Sequence, residues 1–569
     1  MVASFSILLL LSAVLLHVHA ISLSNPSLQT LPNVSRQTTC SSSEDCPDTN
    51  PFVRCVRNQC IDLRDTVPDL PTRPPTTTSA TQPNAPNTPA EGGSCLTITE
   101  CPSGLICVAT NPGGRCELSR GMFGVATFVV NLIQQDYTPA PELSPDQGGP
   151  TVTSRAMAII FLAAHDTFAV VSGEFSANTN LGVLRSIPIR VAARRLDDEE
   201  RERQAEAAMQ AAALTAAKRL YPSLTRIIDP VFELVTARAQ SQFVEFGEDV
   251  GNDLFESRLN DGSQRDQLDD EFEIGELLRH QPDPNFPITA GDPTAVQRNF
   301  GRFWGEVTPF AIRDVERDAF LGPFPELPSA EYRANLAEVD VMGECNDFVN
   351  DDGILLQDIG IFWGYDGASE IGVPPRLFLQ TVLAVDEVQE LSLPDSVRAL
   401  TGVGVAMADA GIAAWYWKFF YDLWRPTIGV RNDTISPDPE WNPRGIPLSN
   451  RNDIPRPPEC VGVNPNFPAY PSGHASFGAA CFVTLANILG KEPKDVVARI
   501  TSDEFNGVTT EGTTGEVRRV FTQTINFQEA IEQNNAGRVY LGVHWRFDSD
   551  GGEDVGRQIA EIAANQFDI

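Results

Sequence analysis

Residues 396–424 read SVRALTGVGVAMADAGIAAWYWKFFYDLW, with Arg425 and Pro426 directly after them. The run is long, mostly small and apolar, and free of proline, so it reads as one helix over Ser396–Trp424 that Pro426 ends. Working outward, Ala156–Val171 (AMAIIFLAAHDTFAVV) is apolar enough for an interior helix. Leu196–Leu220 (LDDEERERQAEAAMQAAALTAAKRL) starts with acids and ends with a basic pair, the order that a helix dipole favours. Gly478–Leu489 and Gly552–Asn565 are two further helices. Alternation of strand type is sparse and never regular. The expected fold class is therefore all-α, a helical bundle over residues 119–569.

Length and charge bound the rest. A chain of 569 residues suggests two to four domains, and 42% hydrophobic content excludes bulk disorder. The net charge of −34 argues against nucleic acid as a partner, because like charge repels it. Only four of the 42 basic residues are lysines, and there are six histidines in all. Residue types this scarce carry information by their location. The acidic stretch Glu248–Glu276 lacks the order of a calcium loop and reads as a solvated surface.

The amino-terminal residues 1–20, MVASFSILLLLSAVLLHVHA, have the apolar block and small final residue of a signal peptide. No other stretch of about 18 apolar residues stands out, so no transmembrane segment is expected after cleavage. Cysteines at 40, 46, 55 and 60, and again at 95, 101, 107 and 116, predict two small disulfide-rich modules over 38–62 and 94–118. The Pro/Thr-rich linker 63–93 joins them. The modules could bind an extracellular partner, and sequons stand at Asn33 and Asn432. Cys345 and Cys460, both in loop-like sequence, could pair, while Cys481 falls in an apolar helix as a buried thiol. These features predict a secreted protein.

Three dense motifs hold the chemistry. In the first, Lys418 and Arg425 are seven residues apart, a spacing that returns to nearly the same helix face. Two like charges amid Trp415, Phe419 and Trp424 are costly to bury unless an anion lies between them. The plain alternative is a pair of surface cations snorkelling past aromatics. The second motif, Tyr470–Pro471–Ser472–Gly473–His474, opens a helix. Its free N–H groups, the Gly473 backbone and the Ser472 hydroxyl suit an oxyanion, and His474 can exchange protons there. The alternative is an ordinary turn and cap. The third is Gly537–Arg538–VYLGV–His544–WRF–Asp548. Arg538 supplies a rigid fork of donors, and Asp548 lies one helical turn beyond His544. Together they match a tetrahedral oxyanion, phosphate or vanadate. They lack the converging ligands of a zinc site, and Ser472 lacks the GxSxG elbow of a hydrolase triad.

These motifs, KFFYDLWRP, PSGH and GRVYLGVHWRFD, resemble those of the vanadium-dependent haloperoxidases, in the superfamily of type 2 phosphatidic acid phosphatases and bacterial acid phosphatases. Gly537 departs from the family's usual serine. The resemblance covers residues 410–560 and extends plausibly back to 120. It implies a vanadate cofactor, with His544 as the vanadium ligand and Lys418, Arg425, Ser472, Gly473 and Arg538 holding the oxyanion. It further implies that His474 takes a proton from hydrogen peroxide, that Lys418 polarises the peroxide, and that halide is oxidised to hypohalous acid. Asp548 would support His544. Trp415 and Phe467 match aromatics of the chloroperoxidase-like branch and would line a halide pocket. Bromide, the easier halide, is expected to react, with chloride as an extension. Asp358 is a guess for the carboxylate partner of Arg538, and His165 and His280 are expected to be dispensable.

Two other functions fit parts of the sequence. A secreted acid phosphatase would use His544 as nucleophile and His474 as the acid for the leaving group. A matrix or adhesion protein would act through its cysteine modules alone.

Overall fold

The computed structural model describes residues 121–567 apart from 139–143, 179–182, 238, 351, 452–455 and 459, plus the backbone of four short strands before residue 118. The expected signal peptide, the linker, Asn33 and most of both cysteine modules lie outside the described residues. So do the side chains on which the modules' disulfides would rest.

Two units are distinguished, residues 1–62 and 63–569. In the first, β1 (Val53–Val56) and β2 (Gln59–Asp62) pair antiparallel, with Cys55 opposite Cys60 in register. In the second, β3 (Ile106–Thr110) and β4 (Gly113–Glu117) form a like hairpin, with Cys107 opposite Cys116. The described residues of the second unit are otherwise mainly helical, as expected of an all-α bundle.

Helix α1 spans Gly121–Asp136 and α2 spans Pro150–Ser172, whose residues from Ala156 to Val171 are all buried. Helix α3 runs Asp198–Leu220, capped by the Asp197 carboxylate accepting from the Glu200 N–H at 2.9 Å. Its charged first turns are solvated, while its alanine-rich remainder packs between α2 and α4 (Ser241–Ser257). A second group holds α5 (Leu356–Phe362), α6 (Pro374–Leu383), α7 (Leu393–Tyr421), α8 (Gly473–Ile488), α9 (Phe527–Tyr540) and α10 (Arg546–Gln566). Helix α7 packs on α2, α8 and α10, and so joins the two groups. The α8–α10 crossing is close because a Cβ on Gly552 or Gly556 would strike the carbonyls of Ser472 or Ser476.

The structure corrects four expectations. Helices α2 and α7 are each long and apolar enough to cross a membrane by length and composition, with windows of mean hydropathy 1.4 and 1.3. They are 100% and 94% buried, as core helices are. Helix α7 stops at Tyr421, because Asp422 turns left-handed (φ 50°) and its N–H closes onto the Lys418 carbonyl. Arg425 therefore does not share a helix face with Lys418; it is the N-cap of the short helix Pro426–Arg431. His544 likewise stands in the turn between α9 and α10, with Asp548 in the first turn of α10. Finally, β5 (Val497–Asn506) pairs with β6 (Val520–Asn526), and the β5 residues 497–502 alternate strictly between exposed and buried.

Cys345 and Cys460 form a disulfide, tying the segment after the helix Ala330–Met342 to the loop before α8. Cys481 is a free buried thiol. Of the acidic stretch, Glu248–Ser257 ends α4. No His, Cys, Asp and Glu cluster suited to a metal ion occurs among the described residues.

Candidate active site

Lys418 lies in the last turn of α7, fully buried. Its Nζ donates to the carbonyls of Pro468 at 2.9 Å, Ala469 at 3.0 Å and Pro471 at 2.5 Å. Arg425 Nε donates to the Phe467 carbonyl at 2.9 Å, and its Nη1 to that of Val543 at 2.7 Å. The two cations thus grip the 467–471 segment that delivers the chain into α8. Burial, then the charge of Arg425, drives Lys418 well below the usual lysine range, and burial pulls Arg425 down to about 9.

Ser472 is the N-cap of α8, its hydroxyl accepting from the Ala475 N–H at 3.4 Å. Gly473 and His474 follow as the first helical residues, where N–H groups have no partner within the helix. A Cβ on Gly473 would lie 3.1 Å from the Trp415 ring, so a larger residue here would press that ring back from the helix start. His474 donates from Nε2 to the Gly364 carbonyl at 2.7 Å, which leaves the lone pair on Nδ1. Burial and the charge of Arg538 pull His474 down to about 3, against the opposing pull of Asp366.

His544 mirrors this with the opposite tautomer. Its Nδ1 is 2.8 Å from Asp548 Oδ2, so Nδ1 carries the proton. Its Nε2 then holds a lone pair, which accepts from Arg425 Nη1 at 2.9 Å. Burial first, then the charges of Arg425, Lys418 and Arg538, keep His544 well below the ordinary histidine range and neutral. Asp548 also accepts from the Trp545 N–H at 3.0 Å, and its backbone carbonyl accepts from the Ser472 N–H at 2.7 Å. One residue thereby links the second motif to the third.

Arg538, in the last turn of α9, makes a two-pronged pair with Asp366, Nη1 to Oδ2 at 2.9 Å and Nη2 to Oδ1 at 2.8 Å. This corrects the expectation for Asp358, which instead accepts from Arg519 at 2.8 Å. Gly360 is the α5 residue that meets α9, its Cβ position lying 2.7 Å from the Gly537 carbonyl. Asp358, two residues earlier, is rotated about 200° from that contact and faces the β-hairpin.

Trp415, Phe467, Gly473, His474 and His544 line one cavity of about 810 Å³, with Asp366 on the same wall. Lys418, Arg425, Ser472 and Arg538 stand behind that wall. Trp415 and Phe467 pack with ring centroids 4.8 Å apart, and the Lys418 and Arg425 charges lie 5.1 and 5.0 Å from the Phe467 ring. The three motifs therefore converge on one place.

The chain is 30% identical over 480 residues to the vanadium chloroperoxidase of Curvularia inaequalis, covering 72% of this chain and 76% of that protein. It belongs to the vanadium haloperoxidase family. Residues 398–568 match the family model described as the VCPO second helical-bundle domain. Among solved structures, a bacterial vanadium-dependent iodoperoxidase shares the fold with a TM-score of 0.54 at 20% identity, over 78% of this chain and 95% of that one. A holo-type bacterial vanadium-dependent chloroperoxidase gives 0.53 at 18%, over 76% and 95%.

For a member of the vanadium haloperoxidase family, the test of fit is whether the buried donors call for an oxyanion. They do. Arg425 Nη2 and Arg538 Nε are buried with no acceptor. Among the described residues, Arg538 alone of the three cations makes an ion pair with a carboxylate, while Asp548, Asp366 and Asp283 act on Arg425 at longer range. Lys418 differs, since carbonyls take all three of its donors, and it must exchange one of them to touch an anion.

Sequence reasoning missed Asp366 and Phe300. Asp366 lies in the GYDG turn after α5, and that turn was its available signal. Phe300 completes an aromatic wall, its ring centroid 6.4 Å from both Trp415 and Phe467, while its carbonyl accepts from Trp415 Nε1 at 3.2 Å. No signal pointed to it. His165 is buried between Phe175 and Phe567 and paired with Asp166 at 2.8 Å. His280 is buried on the strand-like segment beside Leu423 and outside the cavity wall.

Proposed function

We propose that this chain is a secreted, vanadate-dependent haloperoxidase that oxidises bromide, and chloride as an extension, with hydrogen peroxide. The observation that carries the reading is the pair of buried arginine N–H groups without acceptors beside the neutral His544 ring. His544 Nε2 would be the vanadium ligand once Arg425 Nη1 releases it, oriented by Asp548 through Nδ1 as ligating histidines usually are. Arg425, Arg538, Ser472 and the Gly473 N–H would hold the oxyanion, with Lys418 adding charge. Vanadate, when bound, supplies Lewis acidity that makes peroxide electrophilic without a change of oxidation state.

The chain's own residues then handle protons and access. His474 is neutral at working pH and has its lone pair on Nδ1, so it can accept a proton from hydrogen peroxide. Its Nε2 bond to Gly364 fixes the ring while it does so. Lys418 places positive charge where peroxide oxygen becomes electron-poor. Trp415 and Phe467 offer halide an apolar approach. The balance is hydrogen peroxide plus halide plus one proton giving hypohalous acid plus water. The amino-terminal leader and the cysteine modules support secretion.

The test is to strip the protein of metal, then add orthovanadate, peroxide and bromide and follow bromination of a cyclic diketone. Vanadate-dependent activity is expected. Its absence together with strong hydrolysis of an aryl phosphate would favour the acid phosphatase. His544→Ala should abolish vanadate retention on desalting. His474→Ala should retain vanadate and slow turnover by about 10²–10⁴-fold. The reverse pattern would exchange the two roles.

A further inference from the structure

We infer that the cavity beside the site binds a neutral, electron-rich arene of phenol type, and that halogenation takes place on it inside the protein. This rests on the halide-oxidation reading and goes beyond it. Hydrogen peroxide and a halide ion each need roughly the 30 Å³ that a water molecule occupies in the liquid. The cavity holds about 810 Å³, within the range of about 300–1,000 Å³ seen for organic ligands.

The wall also selects. Phe300, Trp415 and Phe467 form a cluster of tilted and edge-on rings, a surface on which another ring packs well. Ile446 and Leu448 add aliphatic surface to the lining. Two neutral polar neighbours, Ser449 and Asn450, are already committed. Ser449 Oγ donates to Glu504 at 2.5 Å, and the Asn450 amide donates to the Ser369 carbonyl at 2.8 Å and accepts from the Thr510 N–H at 3.0 Å. Asp366 is taken by Arg538. Ring and aliphatic surface therefore makes up most of what a guest meets, and Ser369, Arg451, Asn466 and the two histidines complete the wall.

The same cavity carries His474 and His544 on its wall, so hypohalous acid is released into the space the arene fills. The arene carbon forms a bond to halogen as the halogen–oxygen bond breaks. The ring proton then joins the departing hydroxide as water. An electron-rich ring in that position intercepts the oxidant ahead of Trp415.

The probe is 2-naphthol, titrated first into the metal-free protein with equilibrium dialysis as readout. Saturable binding is expected, weakened at least tenfold by Leu448→Trp. In the second arm, vanadate-loaded wild type brominates 2-naphthol or a cyclic diketone in the presence of a large, methionine-rich protein that scavenges hypohalous acid in bulk. The scavenger should suppress diketone bromination at least tenfold more than naphthol bromination. Equal suppression, or no saturable naphthol binding up to millimolar concentration, overturns the inference. If wild type brominates neither compound, the halide-oxidation reading fails, and the dialysis result still decides whether an arene binds.

Discussion

Two buried polar knots lie near the cavity, and they are balanced differently. In the knot below the β-hairpin, Arg518 pairs with both Glu504 and Glu511, and Arg444 reaches Glu511 at 3.2 Å. Two cations meet two carboxylates, and Arg518 Nη1 also donates to Ser449 at 2.7 Å. In the other knot, Lys418, Arg425 and Arg538 meet Asp366 and Asp548; two arginine N–H groups have no acceptor, and Asp548 Oδ1 has no donor. The first knot is closed in charge, although Glu504 Oε1 has no donor, and it holds loops together. The second is short of negative charge, which an oxyanion would supply. Buried charge alone therefore does not mark a site; unbalanced buried charge does.

The largest effect that separates the knots is on stability. Arg518→Ala leaves buried Glu504 without its cation, so unfolding free energy should fall by about 3–5 kcal/mol. Vanadate affinity of the protein that stays folded should not change. Denaturant melts and vanadate dialysis check both halves, and a loss under about 1 kcal/mol would mean the knot is not closed. The same knot has an acid limit. Burial pushes Glu511 up, but Arg444 and Arg518 outweigh it and hold it down at about 2. A depressed carboxylate contributes its stability above its unfolded value and loses it as pH falls through the folded one. That contribution is thus complete above roughly pH 4.5 and fades toward pH 2.

The next effect concerns the open knot. Asp366→Ala frees Arg538 to shift, and should weaken vanadate retention by about 10–100-fold, as lost supporting partners of metal ligands do. Asp358→Ala, at the surface pair with Arg519, should change it by less than about twofold. Equal effects of the two would return Asp358 to the site.

Much of this was readable from residues alone. The motifs KFFYDLWRP, PSGH and GRVYLGVHWRFD pointed to residues that the fold brings together, and long apolar runs marked α2 and α7. What could not be read was how the chain turns between them. Asp422 in a left-handed conformation moves Arg425 off the helix, yet the tertiary contacts of Phe467 and Val543 bring it back beside Lys418. Asp366 and Phe300 come from segments far away in sequence, placed by packing that no local pattern encodes. Strand β5 was overlooked because its inward residues Ala498, Ile500 and Ser502 are too mixed in polarity to show a period of two.

The smallest effect tests the one departure from the family's motif. Gly537 sits where α9 crosses α5, and a Cβ there would lie 2.9 Å from the Gly360 Cα and 3.5 Å from the Ile359 carbonyl. Backbone cannot rotate away as a side chain can, so Gly537→Ser should overpack the crossing and cost about 1 kcal/mol or somewhat more. The next residue, Arg538, keeps its two-pronged hold on Asp366, and that grip limits how far a small helix shift can move the guanidinium. Vanadate retention in Gly537→Ser should therefore stay within about threefold of wild type while the melting temperature falls. Tighter vanadate binding would show that the serine hydroxyl donates to the oxyanion, and that glycine here weakens the site. A stable variant with unchanged affinity would show that the helices separate easily, and that the close crossing does not position Arg538.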